Sequence, residues 1–247
     1  MTLPQHLVPT LYDVAPGDVV TVEGDEAHHA VVVRRLRVGE SLLLTDGAGR
    51  LATVEVEATA KRSFSAVVRE VVDVPEPLPR VTVVQALPKG ERGELAVEVL
   101  TEIGAARVVP WAAARSVAVW KGERAAKSHA KWQATAREAA KQARRAWHPD
   151  VAPLESTADV LRRVAEADVA VVLHEDATEP IDALALPDAG DLLVVVGPEG
   201  GLTDEEVARF VESGAVAVRL GAEVLRTSTA GVAAVAALLA RTPRWGA

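Results

Sequence analysis

At 247 residues, 49% of them hydrophobic, the chain is long enough for one large domain or two small ones, in an ordinary globular composition. It has no cysteine, which excludes disulfides, thiolate metal sites and cysteine nucleophiles. The net charge of −8 is uneven: residues 80–150 carry 13 basic against 7 acidic groups, flanked by acidic segments, so a basic block remains available to a phosphate backbone.

Residues 1–73 read as mostly β. Val19–Val22, Ser41–Thr45, Leu51–Val56 and Ser63–Glu70 are short runs rich in β-branched residues, separated by turns. Ala27–Arg37 reads as one short helix, and Asp46-Gly47-Ala48-Gly49 as a hairpin turn. Gly47 also opens a formal G-x-G-x-x-A match ending at Ala52, but Leu51 onward alternates as a strand; with no helix following, a dinucleotide fingerprint is rejected. Val74–Pro79 holds three prolines in six residues and reads as a stiff linker.

Beyond the linker, β and α segments alternate: strand 81–86, helix 91–103, strand 107–110, helices 123–146 and 157–166, strands 168–173 and 192–196, helix 204–213, strand 216–219 and helix 228–240. Such alternation predicts a parallel sheet with helices on both faces. In the helix expected over 123–146, Trp132, Ala136, Ala139, Ala143, Ala146 and Trp147 project to one sector of roughly 100°. Arg124, Lys127, Lys131, Arg137, Lys141, Arg144 and Arg145 project to the other half, a basic ridge suited to RNA phosphates or to solvent.

Two C-terminal segments carry the chemistry. Leu192–Val196 is an apolar run the length of a buried strand, followed by Gly197-Pro198-Glu199-Gly200-Gly201, where the backbone can turn sharply and approach a ligand. Thr203 and Glu206 form a capping box that starts the next helix. The second segment, Val218–Ala237, repeats the strand–loop–helix pattern through Leu220-Gly221 and Leu225-Arg226-Thr227. Loops at the carboxyl ends of neighbouring strands are where an open α/β sheet binds a small ligand. Taken alone they could hold a nucleotide, a phosphate or nothing. A Rossmann oxidoreductase would need a G-x-G-x-x-G opening a helix, with an acidic residue about twenty further on, and the C-terminal half has neither in register. A non-catalytic RNA-binding protein would need the basic ridge alone. Six histidines without cysteine form no zinc pattern, His174-Glu175 lacks the second His of H-E-x-x-H, and there is no G-x-S-x-G elbow or Walker A motif, so no metal site is expected. The N-terminus shows no secretory pattern, and the apolar run 231–240 is about half a membrane span, so a cytoplasmic location is expected.

In order and spacing, GPEGG followed by LGAEVLRT resembles the cofactor-binding knot of the SPOUT methyltransferases, and within them the RsmE family, which methylates N3 of a uridine in 16S ribosomal RNA. The similarity covers nearly the whole chain. Leu87-Pro88-Lys89-Gly90 with Arg92, Glu94 and Thr101–Gly104 resembles the block opening that family's catalytic domain; Ala114–Val117 resembles the next, and Glu138, Gln142 and Arg145 the following helix. His29–Arg35, Gly39 and Asp46-Gly47 resemble its small RNA-binding domain. The resemblance implies a SPOUT-type parallel sheet with a C-terminal trefoil knot over residues 80–247, and a small PUA-like β-barrel domain over residues 1–73. It implies S-adenosyl-L-methionine as cofactor, lined by Leu173, Val196, Gly197, Glu199, Gly200, Gly201, Leu220, Gly221, Val224, Leu225, Arg226, Thr227 and Thr229. The implied substrate is 16S ribosomal RNA, within the 30S subunit, held by Arg34, Arg35, Arg37, Lys89, Arg92, Arg115, Arg144 and Arg145; the implied assembly is a homodimer through the knotted domain.

For the reaction, Arg226 is the candidate to grip a uracil carbonyl through two donors, and Glu199 or Glu102 a candidate proton acceptor. The N3 edge is the pairing edge, so the target base must be unpaired or flipped out. A methyltransferase acting on another RNA position is the alternative. The chain departs from the family pattern at Gln5, His6 and Leu7, at Val99, at Ala222-Glu223 and at Ser228.

Overall fold

The computed structural model describes residues 3–246; residues 1, 2 and 247, which the expected domain ranges include, lie outside them. It divides into two compact units, Met1–Glu76 with Ala140–His148, and Pro77–Ala139 with Pro149–Ala247.

The first unit contains β1 (Gln5–Leu7), β2 (Val19–Glu23), α1 (Gly24–His28) continuing into a π-helical turn (His29–Val33), β3 (Ser41–Thr45), β4 (Arg50–Ala60) and β5 (Ser63–Asp73). The sheet order is β1-β3-β4-β5-β2, with β1 parallel to β3 and the other pairs antiparallel. Register shifts at Thr53/Val54 and Val56/Ala58 are the bulges that curl such a sheet around its core, here built on Leu11, Leu42, Leu44 and Phe64. The β3–β4 turn is held by Asp46, whose Oδ1 accepts from the Ala48 and Arg50 N–H groups at 2.8 and 3.2 Å. The residues after it form a strand, in keeping with the rejected dinucleotide fingerprint.

One expectation in this region needs correction, and one short strand carried no sequence signal. The helix expected over 27–37 starts three residues earlier and ends at Val33. Its small buried residues, Ala27 and Ala30, face the core, and the Arg34 N–H reaches back five residues to the His29 carbonyl. Gln5 and His6 sit in a strand too short to be read from its own pattern; both are buried, and Gln5 Nε2 donates to the Arg145 carbonyl at 2.9 Å.

The second unit contains β6 (Arg80–Ala86), α2 (Arg92–Ile103), β7 (Arg107–Trp111), α3 (Glu123–Gln142) as far as Ala139, β8 (Asp150–Val151), α4 (Thr157–Glu166), β9 (Val169–Leu173), β10 (Glu179–Pro180), a 3₁₀ turn (Ile181–Ala183), β11 (Asp191–Val196), α5 (Asp204–Glu212), β12 (Val216–Arg219) and α6 (Thr227–Leu239). The seven strands run β10-β12-β9-β11-β6-β7-β8, all parallel. Alternate residues of β11 serve opposite faces: Leu192, Val194 and Val196 join a core with α2, α3 and α6, while Leu193 and Val195 join one with α4 and α5. Burial on both faces is why its sequence is an unbroken apolar run. α6 lies close on the sheet because residue 231 is glycine; a Cβ there would meet Leu100 at 3.2 Å and Val196 at 3.3 Å. Past α6, Arg244 donates to the carbonyls of Pro79 and Gly104 at 3.0 and 2.7 Å, tying the segment after the last helix to the start of β6. Burial pushes its pKa down.

The basic helix also differs from expectation. α3 stops at Gln142, and Arg144 takes a left-handed conformation (φ 53°) that ends it. Ala143, Ala146 and Trp147 therefore leave the apolar stripe; Trp147 packs against Gly49, where a Cβ would lie 2.5 Å from its ring, and its Nε1 donates to the Val74 carbonyl. The ridge also loses Lys141, which is buried in the first unit and donates to both Glu26 oxygens at 2.9 and 3.2 Å. His6 Nδ1 lies 2.9 Å from the same carboxylate. Burial alone would raise the Glu26 pKa, but the hydrogen bonds from His6 and Lys141 and the lysine charge outweigh it, lowering the pKa from 4.5 to about 2.

Because the folded pKa is depressed, this contribution to stability is present above about pH 4.5 and is lost as pH falls towards 2. Its size is on the order of 3 kcal/mol. Glu26→Gln should lower the melting temperature at pH 7 and flatten the loss of stability between pH 5 and pH 2. Melting curves of the two proteins that coincide at both pH 7 and pH 3 would refute this coupling.

Candidate functional site

The strand register brings the proposed ligand-binding loops together. Val196 pairs with Gln85, Val195 with Val172, and Val218 with Leu173, so β6, β11, β9 and β12 end level. The loops leaving them, 87–91, 197–203 and 220–226, open at one edge of the sheet. This edge holds the thirteen cofactor residues named from sequence: Leu173 and Val196 at strand ends, Gly197 to Gly201 in one loop, and Leu220 to Thr229 in the other and the first turn of α6.

The glycines of the first loop serve two needs. Gly201 has φ 71° and donates to the Pro198 carbonyl at 2.9 Å, closing a turn that disfavours a side chain. Gly197 and Gly200 are needed for room: a Cβ at the former would come within 3.0 Å of Leu202, and at the latter within 3.3 Å of the Arg115 carbonyl. Charged side chains then tie this loop to its neighbours. Glu199 Oε1 accepts from the Lys89 N–H at 3.0 Å, and Arg115 Nη1 donates to the carbonyls of Gly200 and Leu202 at 3.2 and 3.1 Å. Glu206 completes the capping box with one oxygen and accepts from the Ala114 N–H at 2.8 Å with the other. Arg115, read from sequence as an RNA contact, thus braces the glycine loop through Nη1.

In the second loop Val224 and Leu225 are 76% and 40% exposed, an apolar surface bared beside the strand ends. The Arg226 carbonyl receives the Thr229 and Ala230 N–H groups at 2.8 and 2.9 Å, while its side chain is exposed and has no ion pair among the described residues. Gln85, fully buried at the end of β6, donates its Nε2 to the carbonyls of Ala86 and Thr227. With two carbonyls facing it the amide cannot be reversed, and its Oε1 is buried with no partner, as is the hydroxyl of Ser228. Sequence reading missed Gln85; the available signal was a lone polar residue in the apolar run 81–86. Glycines where a side chain would be crowded, loop backbone groups and exposed apolar residues at level strand ends suit a ligand with an apolar face and hydrogen-bonding edges.

Other candidates fall elsewhere. Glu102 sits on the last turn of α2, next to the Gly104 that Arg244 joins to the start of β6, about 20 Å of strand away from the loops. It is therefore corrected from proton acceptor to a surface carboxylate. Arg34, Arg35 and Arg37 are exposed on the segment after the π-helical turn, and Arg144 and Arg145 also belong to the first unit; Lys89, Arg92 and Arg115 belong to the second. Among the described residues no group of three or more His, Cys, Asp or Glu could hold a metal, and no helix is long and apolar enough to cross a membrane.

This architecture is that of an RNA methyltransferase: residues 74–239 match the RNA methyltransferase domain family, and residues 22–69 the RNA methyltransferase PUA domain. Ribosomal RNA small subunit methyltransferase E of Mycobacterium bovis is 50% identical over 235 residues, 94% of this chain and 90% of that protein. The Bacillus subtilis protein of the same name is 34% identical, with 90% of each covered. A crystal structure of ribosomal RNA small subunit methyltransferase E from Neisseria gonorrhoeae bound to S-adenosyl methionine superimposes with a TM-score of 0.87 at 28% identity, covering 96% of this chain and 97% of that one. The chain belongs to the ribosomal RNA small subunit methyltransferase E family.

Gln85 ties the end of β6 to the first residue of α6, so it sets where the Arg226–Thr227 step lies. Gln85→Leu, close to it in volume, removes both hydrogen bonds and is expected to weaken S-adenosylmethionine binding about tenfold by calorimetry, the scale of one net hydrogen bond. Unchanged affinity in a folded variant would refute the role.

Proposed function

We propose that this protein transfers the methyl group of S-adenosyl-L-methionine to N3 of a uridine in 16S ribosomal RNA. The observation that carries the reading is the cradle of level strand ends with glycines at 197 and 200, where a Cβ would crowd Leu202 and Arg115. Membership of the family, and a relative crystallised with S-adenosyl methionine, support it. The proposed cofactor residues are Leu173, Val196, Gly197, Glu199, Gly200, Gly201, Leu220, Gly221, Val224, Leu225, Arg226, Thr227 and Thr229. The proposed RNA contacts are Arg34, Arg35, Arg37, Lys89, Arg92, Arg115, Arg144 and Arg145. The reading includes a knotted C-terminal segment, which the position of β11 between β9 and β6 supports. It also includes a homodimer, the 30S subunit as substrate and a cytoplasmic setting.

When bound, the cofactor supplies an electrophilic methyl group. The residues around it position and desolvate the reacting atoms, the main requirement of an in-line displacement. As uracil N3 loses its proton, negative charge develops on the neighbouring carbonyl oxygens, and the exposed Arg226 guanidinium can meet it with two donors. Glu199 accepts from Lys89 N–H through one oxygen, which fixes the carboxylate and leaves the other to take the N3 proton, directly or through water.

Titration of S-adenosylmethionine by calorimetry, then incubation with undermethylated 30S subunits and mass spectrometry of the RNA nucleosides, tests the reading. Binding with new 3-methyluridine supports it; binding with a different methylated nucleoside moves the target, and no binding refutes it. Arg226→Ala is expected to cut turnover by about 100-fold or more, the scale of losing one donor to a developing oxyanion, with the melting temperature kept. Near-normal turnover would remove Arg226 from the reaction.

A further inference from the structure

A cavity of about 490 Å³ lies in the second unit between the start of α2, the start of α3 and the segment joining β7 to α3. Pro88 and Gly90, which flank Lys89, form part of its wall. The Lys89 N–H is held by Glu199, so the cavity and the glycine loop share one three-residue stretch of backbone. We propose that this cavity seats one unstacked nucleotide of the substrate RNA, a neighbour of the base that is methylated. The proposal rests on the function proposed above, with RNA as the methyl acceptor.

The lining fits a base better than an isolated phosphate. Trp120 and Trp132 stand edge to face, their rings 5.0 Å apart at 80°, and both line the cavity. Val117 and Val119, 64% and 53% exposed, add apolar surface that the folded chain leaves uncovered. Every nucleobase has an apolar face that stacks on such surfaces whatever the sequence. Two carboxylates in the wall, Glu91 and Glu94, weigh against an isolated phosphate, and Lys131 Nζ, 2.9 Å from Glu94 Oε1, is already engaged.

The charges assign the other end of the nucleotide. Glu91 and Glu94 accompany Arg124 and Lys131 in the lining, so the cavity as a whole is no anion hole. Lys131 is engaged by Glu94, whereas Arg124 is exposed and has no ion pair among the described residues. Arg124 is thus the group that meets the phosphate at the mouth while the base stacks on the Trp120, Val117 and Val119 side of the cavity. Unstacking a neighbour would also help to hold the target base out of any helix, as modification at its pairing edge requires.

The test uses the full-length protein with Trp120→Ala, Arg124→Ala and Ser128→Leu; Ser128 lines the cavity from α3, and leucine there fills it. On undermethylated 30S subunits, Trp120→Ala and Ser128→Leu should raise KM for the subunit about tenfold, the scale of one lost base stack. Arg124→Ala should raise it several-fold, and the Kd for S-adenosylmethionine should stay unchanged in all three. If Trp120→Ala fails to fold, Ser128→Leu and Arg124→Ala carry the test. KM values within twofold of the parent for those two would overturn the proposal. So would dissociation of a dimer in sedimentation, which would make the cavity a contact between two copies of the chain. Should the parent protein form no 3-methyluridine at all, the functional reading fails separately. The cavity is then judged by titration with a fluorescein-labelled single-stranded oligoribonucleotide: weaker binding by Ser128→Leu upholds it, and equal binding overturns it.

Discussion

The constraint on which the second unit depends is that β6 and β11 lie side by side at the centre of a parallel sheet, with helices on both faces. Their backbone polar groups are committed to neighbouring strands, and their side chains to two apolar layers. Nothing along their length can meet a ligand. Chemistry is displaced to the ends, where the register sets the loops after β6, β11 and β12 at one edge. Gly231 is the condition for closing that arrangement, since it lets α6 descend onto Val83, Val196 and Leu100 and brings its first turn to the strand ends.

The loops themselves contain little regular structure, and charged side chains substitute for it. Glu199 and Glu206 join the segment after β11 to backbone N–H groups of other loops, and Arg115 reaches from the segment after β7 to carbonyls of that segment. Backbone donors and acceptors that a strand would pair with its neighbours are satisfied by carboxylate and guanidinium groups. The first unit uses the same device internally, with Glu26 holding Lys141 and His6. In both units, residues that look like surface charges in the sequence act as struts.

Legibility from sequence followed how local each signal was. β6 and β11 were readable because burial on both faces demands unbroken apolar runs, and α5 because Thr203 and Glu206 cap it within one turn. β1, β8 and β10, two or three residues each, exist because a partner strand offers hydrogen bonds, which no local pattern records. The end of α3 was misjudged because alanines at helical spacing continue to Ala146, while Trp147 and Lys141 are drawn into the first unit. At the site, Gly197 and Gly200 could be picked out by composition. Gln85 could not, because its role depends on which carbonyls surround its amide once the chain has folded. Arg115 shows the same limit: its charge was evident, and the groups it braces were not.

Arg244 and the apolar side of α6 have a consequence for how the protein is made. Ala234, Val235, Leu238 and Leu239 belong to the core that also holds Val81 and Val83, and Arg244 grips the carbonyl of Pro79, just before that first strand. A chain emerging from the ribosome therefore exposes β6 long before the residues that cover it are synthesised. The first unit, by contrast, has its last pieces by His148. Folding during translation should begin with the smaller unit, leaving the larger one open to chaperones until its final helix is released.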